Sequence, residues 1–292
     1  MADTTPPPAH FSCGCAFGGG LGRRSFVALL GGAALAAGGL REAGAREGVE
    51  VAPPSQLSKL VSAQQVEQAA AKQYNDMLGQ AAQKRALAPP GHPQVERLRF
   101  ISERLIPYTY EWNPSAKDWR WEVNLIGSKQ INAFCMPGGK IAFFYGIPNE
   151  LKLNDDEVAM VMGHEMAHAL REHARARMAK SAGTGAALSI GAQLLGLGQM
   201  GDLAARAGTQ LLTLKFSRSD ESEADLVGLE LAARAGYDPK ASVSLWQKMA
   251  TASKNQGGLS FLSTHPSGPD RIAKLEANLP KVETLYRDAK KS

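Results

Sequence analysis

Cysteine is almost absent from this chain of 292 residues, and its three copies are poorly placed for cross-linking. Cys13 and Cys15 precede a segment that we expect to be removed, which leaves Cys135 without a partner. A disulfide framework is therefore excluded, and a form of this chain that leaves the cytoplasm must be stabilised by interior packing instead. Cys13 and Cys15 also lack the second cysteine pair that would complete a metal-binding cluster.

Long apolar runs and internal repeats are missing as well. The most apolar stretch beyond the N-terminal region, residues 182–214, is interrupted by glycines throughout and contains Asp202 and Arg206. A membrane-spanning helix needs about 20 consecutive, predominantly apolar residues. We therefore expect a packed or mobile helical hairpin over 182–214, with a membrane hairpin as the alternative.

No surface of one charge sign is encoded. The 33 basic residues are scattered and are largely balanced by 28 acidic ones, for a net charge of +5. Without a basic stripe we expect no nucleic-acid partner. Because 44% of the residues are hydrophobic, the chain has enough apolar side chains for a core.

Residues 1–45 resemble a twin-arginine export signal. Arg23 and Arg24 are followed by Phe26 and by an apolar run of about 15 residues, which is too short to span a membrane. Cleavage after Ala45 would release the rest of the chain into the periplasm. An uncleaved anchor, which would hold the protein near the membrane, and a transit peptide are the alternatives.

The remainder predicts a single α+β, mainly α, domain over 55–292, joined to the signal by a linker at 46–54. Periodicity and breaks define its parts. They are N-terminal helices over 55–110 (Ser55 to about Arg85, then Gln94 to Ile106), a three-stranded sheet over 119–146 (Trp119–Ile126, Gln130–Met136, Lys140–Gly146), one helix over 155–180 with Asn154 as its N-cap, the apolar hairpin over 182–214, and helices over 217–292.

The helix over 155–180 contains His164-Glu165-Met166-Ala167-His168, the H-E-x-x-H arrangement. Positions i and i+4 share one face of a helix, so the two imidazoles converge on one ion. Zinc lowers the pKa of a bound water, and Glu165 is placed to take a proton from that water. The motif predicts metal-assisted hydrolysis.

A catalytic zinc site needs a third protein ligand and one open position. Glu221 is the best candidate, and Asp225, four residues later on the same face, can orient a ligating imidazole. Asp220 and Glu223 are rivals for these roles. The alternative is that these acidic residues only form the solvent-exposed start of a helix and bind no metal.

Two further histidines require interpretation. His173 lies five residues after His168, off the metal face of a continuous helix, so we expect a surface or structural residue. His265, in a loop before Pro266, could enter the fourth coordination position or donate to the oxyanion of a tetrahedral intermediate.

Together these segments resemble peptidase family M48, the zinc metallopeptidases that include HtpX-like proteases, CAAX prenyl proteases and the periplasmic protease BepA. The resemblance covers about 132–271. Its motifs are Asn132-Ala133-Phe134, Pro137-Gly138-Gly139, the H-E-x-x-H, Glu221-x-x-x-Asp225 and the Ser-Thr-His-Pro-x-x-x-x-Arg segment ending at Arg271. The chain differs from the first two branches in lacking clear membrane spans, and from BepA in lacking helical repeats. We expect a compact soluble or periplasmic member.

The resemblance implies a gluzincin-type domain, with an active-site helix against a small sheet and one zinc per chain. It implies zinc ligation by His164, His168 and Glu221, Glu165 as the base, Asp225 orienting a ligand and His265 near the open position. We expect an extended peptide to add as a strand along one edge of the sheet, at Lys140, Ile141, Ala142, Phe143, Phe144 and Tyr145.

The expected activity is hydrolysis of extended or misfolded protein segments during quality control of the cell envelope. Two alternatives remain. One is a latent protease that acts mainly as a chaperone-like assembly factor. The other, a structural zinc protein, is disfavoured because structural sites usually close with four His or Cys ligands.

Overall fold

The computed structural model describes residues 46–183, 211, 214–256 and 259–291. Its helices are α1 (Ala63–Gln83), α2 (Pro93–Leu105), α3 (Gly146–Glu150), α4 (Asp155–Leu170), α5 (His173–Gly183), α6 (Arg218–Arg234), α7 (Ala241–Gln256), α8 (Ser260–Thr264) and α9 (Arg271–Ala289). Its strands are β1 (Glu122–Ile126), β2 (Ala133–Met136) and β3 (Lys140–Phe144). The predicted α+β, mainly helical class with a small three-stranded sheet is confirmed.

The sheet has the strand order β1-β3-β2, with β1 parallel and β2 antiparallel to β3. The outer side of β1 is partly covered, because Ala88 N–H donates to Leu125 O at 3.0 Å and Gly127 N–H to Ala86 O at 2.6 Å. Among the described residues no strand pairs with the side of β2 away from β3, so that side is the edge at which a further strand can be added.

This order makes one prediction wrong. The expected peptide-binding edge, Lys140 to Tyr145, contains β3, which is the central strand. β3 pairs with β1 on one side and with β2 on the other, so its backbone groups are already used. Strand order depends on how the chain crosses over, and the sequence of the strands does not reveal it.

The predicted helix from Ser55 to Arg85 is interrupted. A 3-10 turn covers Gln56–Leu60, and α1 begins only after Ser62, whose side chain accepts a hydrogen bond from Gln65 N–H. Val61 between them is extended. The periodicity indicated one helix, but Ser55 and Ser62 each act as an N-cap, so the segment forms two separate helical pieces.

Residues 46–52, expected to form a linker, contact the domain. The guanidinium of Arg46 lies 2.5 Å from Oε1 of Glu230, which is fully buried in α6. The other carboxylate oxygen of Glu230 accepts from Val49 N–H at 2.8 Å, and Val49 is itself buried. The start of the described chain is therefore attached to α6.

The active-site helix is shorter than predicted. α4 begins at Asp155 with the expected Asn154 cap, which forms a reciprocal capping box with Glu157. It ends at Leu170, because Glu172 adopts a left-handed backbone conformation with φ of 56°. A second helix, α5, then starts at His173, which places this residue in a structural position rather than at the surface.

No helix within the described ranges is long and apolar enough to cross a membrane. The predicted signal over 1–45 and most of the predicted apolar hairpin over 182–214 lie outside the described residues.

Candidate metal centre

Helices α4 and α6 bring the two parts of the predicted site together. Nε2 of His164 and Nε2 of His168 lie 3.1 Å apart on α4. From α6, the carboxylate of Glu221 approaches both rings, with Oε2 3.5 Å from His164 Nε2 and Oε1 3.4 Å from His168 Nε2. All three side chains are buried.

The loop after α8 contributes a fourth group. Nδ1 of His265 lies 3.1 Å from Glu221 Oε1 and 3.4 Å from His164 Nε2, and its ring stacks on Phe261. One potential ligand atom from each of His164, His168, Glu221 and His265 lies within 4.8 Å of the others.

This donor set fits zinc. Two nitrogens about 2.0–2.1 Å from a tetrahedral ion lie about 3.3 Å apart, close to the separation of the His164 and His168 nitrogens. Three imidazoles and one carboxylate are also the ligand types that zinc prefers.

Asp225 and Arg271 surround the ligands. Asp225 Oδ1 lies 3.0 Å from His164 Nδ1, so a neutral His164 ring would carry its proton on Nδ1 and could offer Nε2 to a metal. Arg271 donates to Asp225 Oδ2 at 2.6 Å and to Glu221 Oε2 at 3.1 Å. Its guanidinium lies over the ring of Trp246 at 3.3 Å. Arg271 is the last residue of the Ser-Thr-His-Pro-x-x-x-x-Arg segment, but the sequence did not indicate its contacts with Glu221 and Asp225.

Glu165 is the buried acid beside the ligands. Its Oε1 has no hydrogen-bonding partner among the described residues and lies 3.7 Å from His265 Nε2. Burial raises its pKa above the ordinary value, although the His265 and His164 rings oppose this shift. A carboxylate with a raised pKa and a free oxygen is suited to take and release a proton.

The ligand group is electrostatically coupled. Burial alone would lower the pKa of His164, but the Asp225 and Glu221 carboxylates outweigh it and raise the pKa to about 9. Burial lowers the pKa of His168 well below the ordinary value. Burial opposes ionisation of Glu221, yet hydrogen bonds from the surrounding imidazoles hold its pKa well below the usual range. The Glu221 carboxylate therefore stays ionised and available to a cation.

His173 is not a surface residue. It is 5% exposed, and its Nδ1 lies 2.9 Å from Nδ1 of His168. The helical spacing did not predict this contact, because α4 ends at Leu170 and the chain turns at Glu172 before His173.

The two rival acids lie elsewhere. Asp220 forms a capping box with Ser217 at the start of α6. Glu223 contacts Arg171 and lies 3.6 Å from His173 Nε2. Of the acids considered, only Glu221 faces both His164 and His168 directly.

A cleft opens between the ligand group and the free edge of the sheet. Its lining includes β2 together with Glu165, His168 and His265. The pairing of β2 with β3 uses the backbone of Asn132 and Met136, which accept from Phe144 and Gly139. Because bonding alternates along an antiparallel strand, the backbone groups of Ala133 and Cys135 point away from β3.

Comparison with known proteins agrees with this geometry. The profile of Peptidase family M48 matches residues 90–279, well over half of the chain. This chain belongs to peptidase family M48. It has the fold and the H-E-x-x-H helix of a metalloendopeptidase.

Several relatives are similar in sequence. "Mitochondrial metalloendopeptidase OMA1" of Schizosaccharomyces pombe is 35% identical over 199 residues, covering 68% of this chain and 56% of the relative. "Beta-barrel assembly-enhancing protease" of Yersinia pestis is 31% identical, and the match covers 51% of this chain and 32% of the relative. "Metalloprotease LoiP" of Escherichia coli is 27% identical, and the match covers 64% of this chain and 71% of the relative. The chain spans about half the length of the Schizosaccharomyces pombe relative.

Proposed function

We propose that this M48 protein is a zinc-dependent endopeptidase with one zinc per chain, held by His164, His168 and Glu221. The observation that carries the proposal is the placement of Glu165, a buried acid with a free carboxylate oxygen, directly beside three converging ligand side chains. A structural site would close without such an acid.

A zinc ion held by His164, His168 and Glu221 would polarise the scissile carbonyl and lower the pKa of the attacking water. Glu165 takes the proton of that water and delivers it to the nitrogen of the leaving amine. Asp225 holds the His164 ring in the required tautomer, and Arg271 keeps the Glu221 and Asp225 carboxylates in place. One ring nitrogen of His265 lies against Glu221 among the ligand atoms, so this ring must move before a substrate carbonyl can enter.

The substrate in this proposal is an extended segment of a protein or peptide, added as a strand to the free edge of β2. The outward carbonyl of Ala133 and the outward N–H and carbonyl of Cys135 provide its hydrogen-bonding partners, whereas the Ala133 N–H already donates to Oδ1 of Asn132 at 3.1 Å. The cleft beside them leads to Glu165. Recognition through backbone groups suits unfolded chains of many sequences, as quality control of the cell envelope requires.

We further propose that the protein acts after export to the periplasm, on the basis of Arg23, Arg24 and the short apolar run behind them. An uncleaved N-terminal segment would keep it near the membrane. Replacement of both arginines by Lys should leave the precursor in the cytoplasm; unchanged export would show that another route is used.

A second candidate is a latent protease that acts mainly as a chaperone-like assembly factor. The position of His265 favours it, because one ring nitrogen lies among the ligand atoms, where it can occupy the fourth coordination position. In that arrangement substrate cannot reach the metal until His265 moves.

Turnover of a denatured protein distinguishes the two functions. Purified protein and a Glu165→Gln variant, each carrying zinc, are incubated with reduced, unfolded casein, and new peptide ends are identified by mass spectrometry. Cleavage that is lost in Glu165→Gln supports the endopeptidase. Equal absence of cleavage in both, with aggregation of the substrate suppressed equally, supports the assembly factor.

A further inference from the structure

The outer nitrogens of the two zinc-binding imidazoles have different partners. Nδ1 of His164 faces the Asp225 carboxylate at 3.0 Å. Nδ1 of His168 faces another imidazole, that of His173, at 2.9 Å. Both histidines of the second pair are buried, with exposed fractions of 3% and 5%.

The protons of this pair follow from the zinc site, and the argument therefore rests on the proposed function. If Nε2 of His168 offers its lone pair to zinc, the neutral ring carries its proton on Nδ1. Nδ1 of His173 must then accept a hydrogen bond from that N–H, which places the proton of a neutral His173 ring on Nε2. That nitrogen lies 3.6 Å from Oε2 of Glu223.

Glu223 is itself anchored. Its other carboxylate oxygen accepts from Nε of Arg171, and the same guanidinium donates to the backbone carbonyl of Ala52. Polar contacts thus continue from His168 through His173 and Glu223 to the backbone of Ala52, although the His173 Nε2–Glu223 Oε2 distance of 3.6 Å is too long for a hydrogen bond.

Packing alone does not determine the orientation of His168. Its ring stacks on Phe216, with ring centroids 3.9 Å apart and an angle of 24° between the planes. A half-turn of the imidazole about its Cβ–Cγ bond would leave this stack intact and exchange the positions of nitrogen and carbon. The hydrogen bond of Nδ1 to His173 favours the observed orientation, together with the contact of Nε2 with Oε1 of Glu221 at 3.4 Å.

We propose that His173 is the positioning residue for the ligand His168: its Nδ1 accepts the Nδ1–H of His168 and holds the opposite nitrogen of that ring toward Glu221 and His164. In this role an imidazole backed by Glu223 replaces the carboxylate that serves His164.

The test compares two substitutions at one position. His173→Phe keeps a ring but has no acceptor, whereas His173→Asn places an amide oxygen near the former Nδ1. Zinc affinity is measured by competition with a chromophoric chelator, and thermal stability of each metal-free protein is measured in parallel. Loss of such a supporting partner typically weakens metal binding about 10- to 100-fold. We expect that loss in His173→Phe and recovery of most of the affinity in His173→Asn.

Equal affinities of wild type and His173→Phe would overturn the inference, as would equal losses in both variants. His164→Ala serves as the control for the site itself. If wild type and His164→Ala both fail to bind zinc, the proposed function is wrong; if only His164→Ala fails while His173→Phe binds normally, only this inference is wrong.

A measurement on the unaltered protein applies even if the variants do not fold. Nitrogen-15 NMR of the zinc-loaded wild type reports which ring nitrogens carry protons. We expect protons on Nδ1 of His168 and Nε2 of His173. A proton on Nδ1 of His173 would contradict the proposal.

Discussion

Gly163 of α4 and Gly228 of α6 lie against each other where the two ligand-bearing helices cross. A Cβ atom on Gly163 would lie 2.7 Å from the backbone oxygen of Gly228, and one on Gly228 would lie 2.6 Å from the backbone nitrogen of His164. Real Cβ atoms do not approach backbone this closely, so the helices meet at this distance only because both positions lack a side chain.

We therefore expect Gly228→Ala to move α6 away from α4. Overpacking of this kind typically costs about 1–3 kcal/mol of unfolding free energy. It should also weaken zinc binding, because Glu221 moves with α6. Thermal denaturation and zinc titration measure the two effects.

Gly79→Ala is the matched control, since a Cβ there meets nothing within 4 Å and the residue lies within α1. That change should stabilise the protein by about 0.5–1 kcal/mol. If Gly228→Ala were as stable as Gly79→Ala, the close approach of α4 and α6 would not matter for stability.

Glu221 and Asp225 should differ in their effects. Glu221→Gln removes a ligand charge that faces both imidazoles, so zinc binding and proteolysis should be lost. Asp225→Asn should be milder, at about 10- to 100-fold, because it alters the partner of His164 Nδ1 and of Arg271 but removes no proposed metal ligand. Zinc content and cleavage rate provide the measurements. Loss of the metal in Glu223→Gln with retention in Glu221→Gln would reverse the assignment.

His265→Ala should keep its zinc, because three ligands remain, and should cleave unfolded protein faster. The reason is that His265 lies among the ligand atoms and must move before a carbonyl can enter. Stoichiometry and initial cleavage rate are compared with those of the wild type. A rate that falls with zinc intact would instead indicate that His265 stabilises the oxyanion.

Removal of the metal should lower the melting temperature, and added zinc should restore it. A ligand that binds only the folded state at about 1,000 times its dissociation constant adds about 4 kcal/mol of stability. The control is His168→Ala, whose melting temperature should not respond to zinc. A wild-type protein that is equally insensitive would argue against a zinc site.

Arg46→Ala should destabilise the domain, because it removes one partner of the buried Glu230 carboxylate. Arg234 and Val49 N–H remain as partners, and Arg46 is partly exposed, so we expect a loss of only about 1–2 kcal/mol. Lys72→Ala, which breaks an exposed pair with Asp76, should change stability by less than about 1 kcal/mol. Equal effects in denaturant titrations would show that residues 46–52 contribute nothing through this contact.

Features that depend on residues close together in the sequence could be predicted from the sequence alone. The i and i+4 spacing of His164 and His168 places both rings on one helical face wherever that helix lies. The start of α4 followed from Asn154 and the acids after it, since capping needs only neighbouring residues. Gly138 and Gly139, which separate the second and third predicted strands, both have the positive φ that glycine permits.

Relationships between distant segments were decided only by the tertiary structure. Which acid of Asp220, Glu221 and Glu223 faces the histidines depends on how α6 crosses α4. The central position of β3 depends on the path of the chain between strands. The contact of His173 with His168 arises from the turn at Glu172, whose left-handed backbone no helical period reveals. Helical and capping patterns are set by residues a few positions apart, whereas these contacts arise only when separate elements pack together.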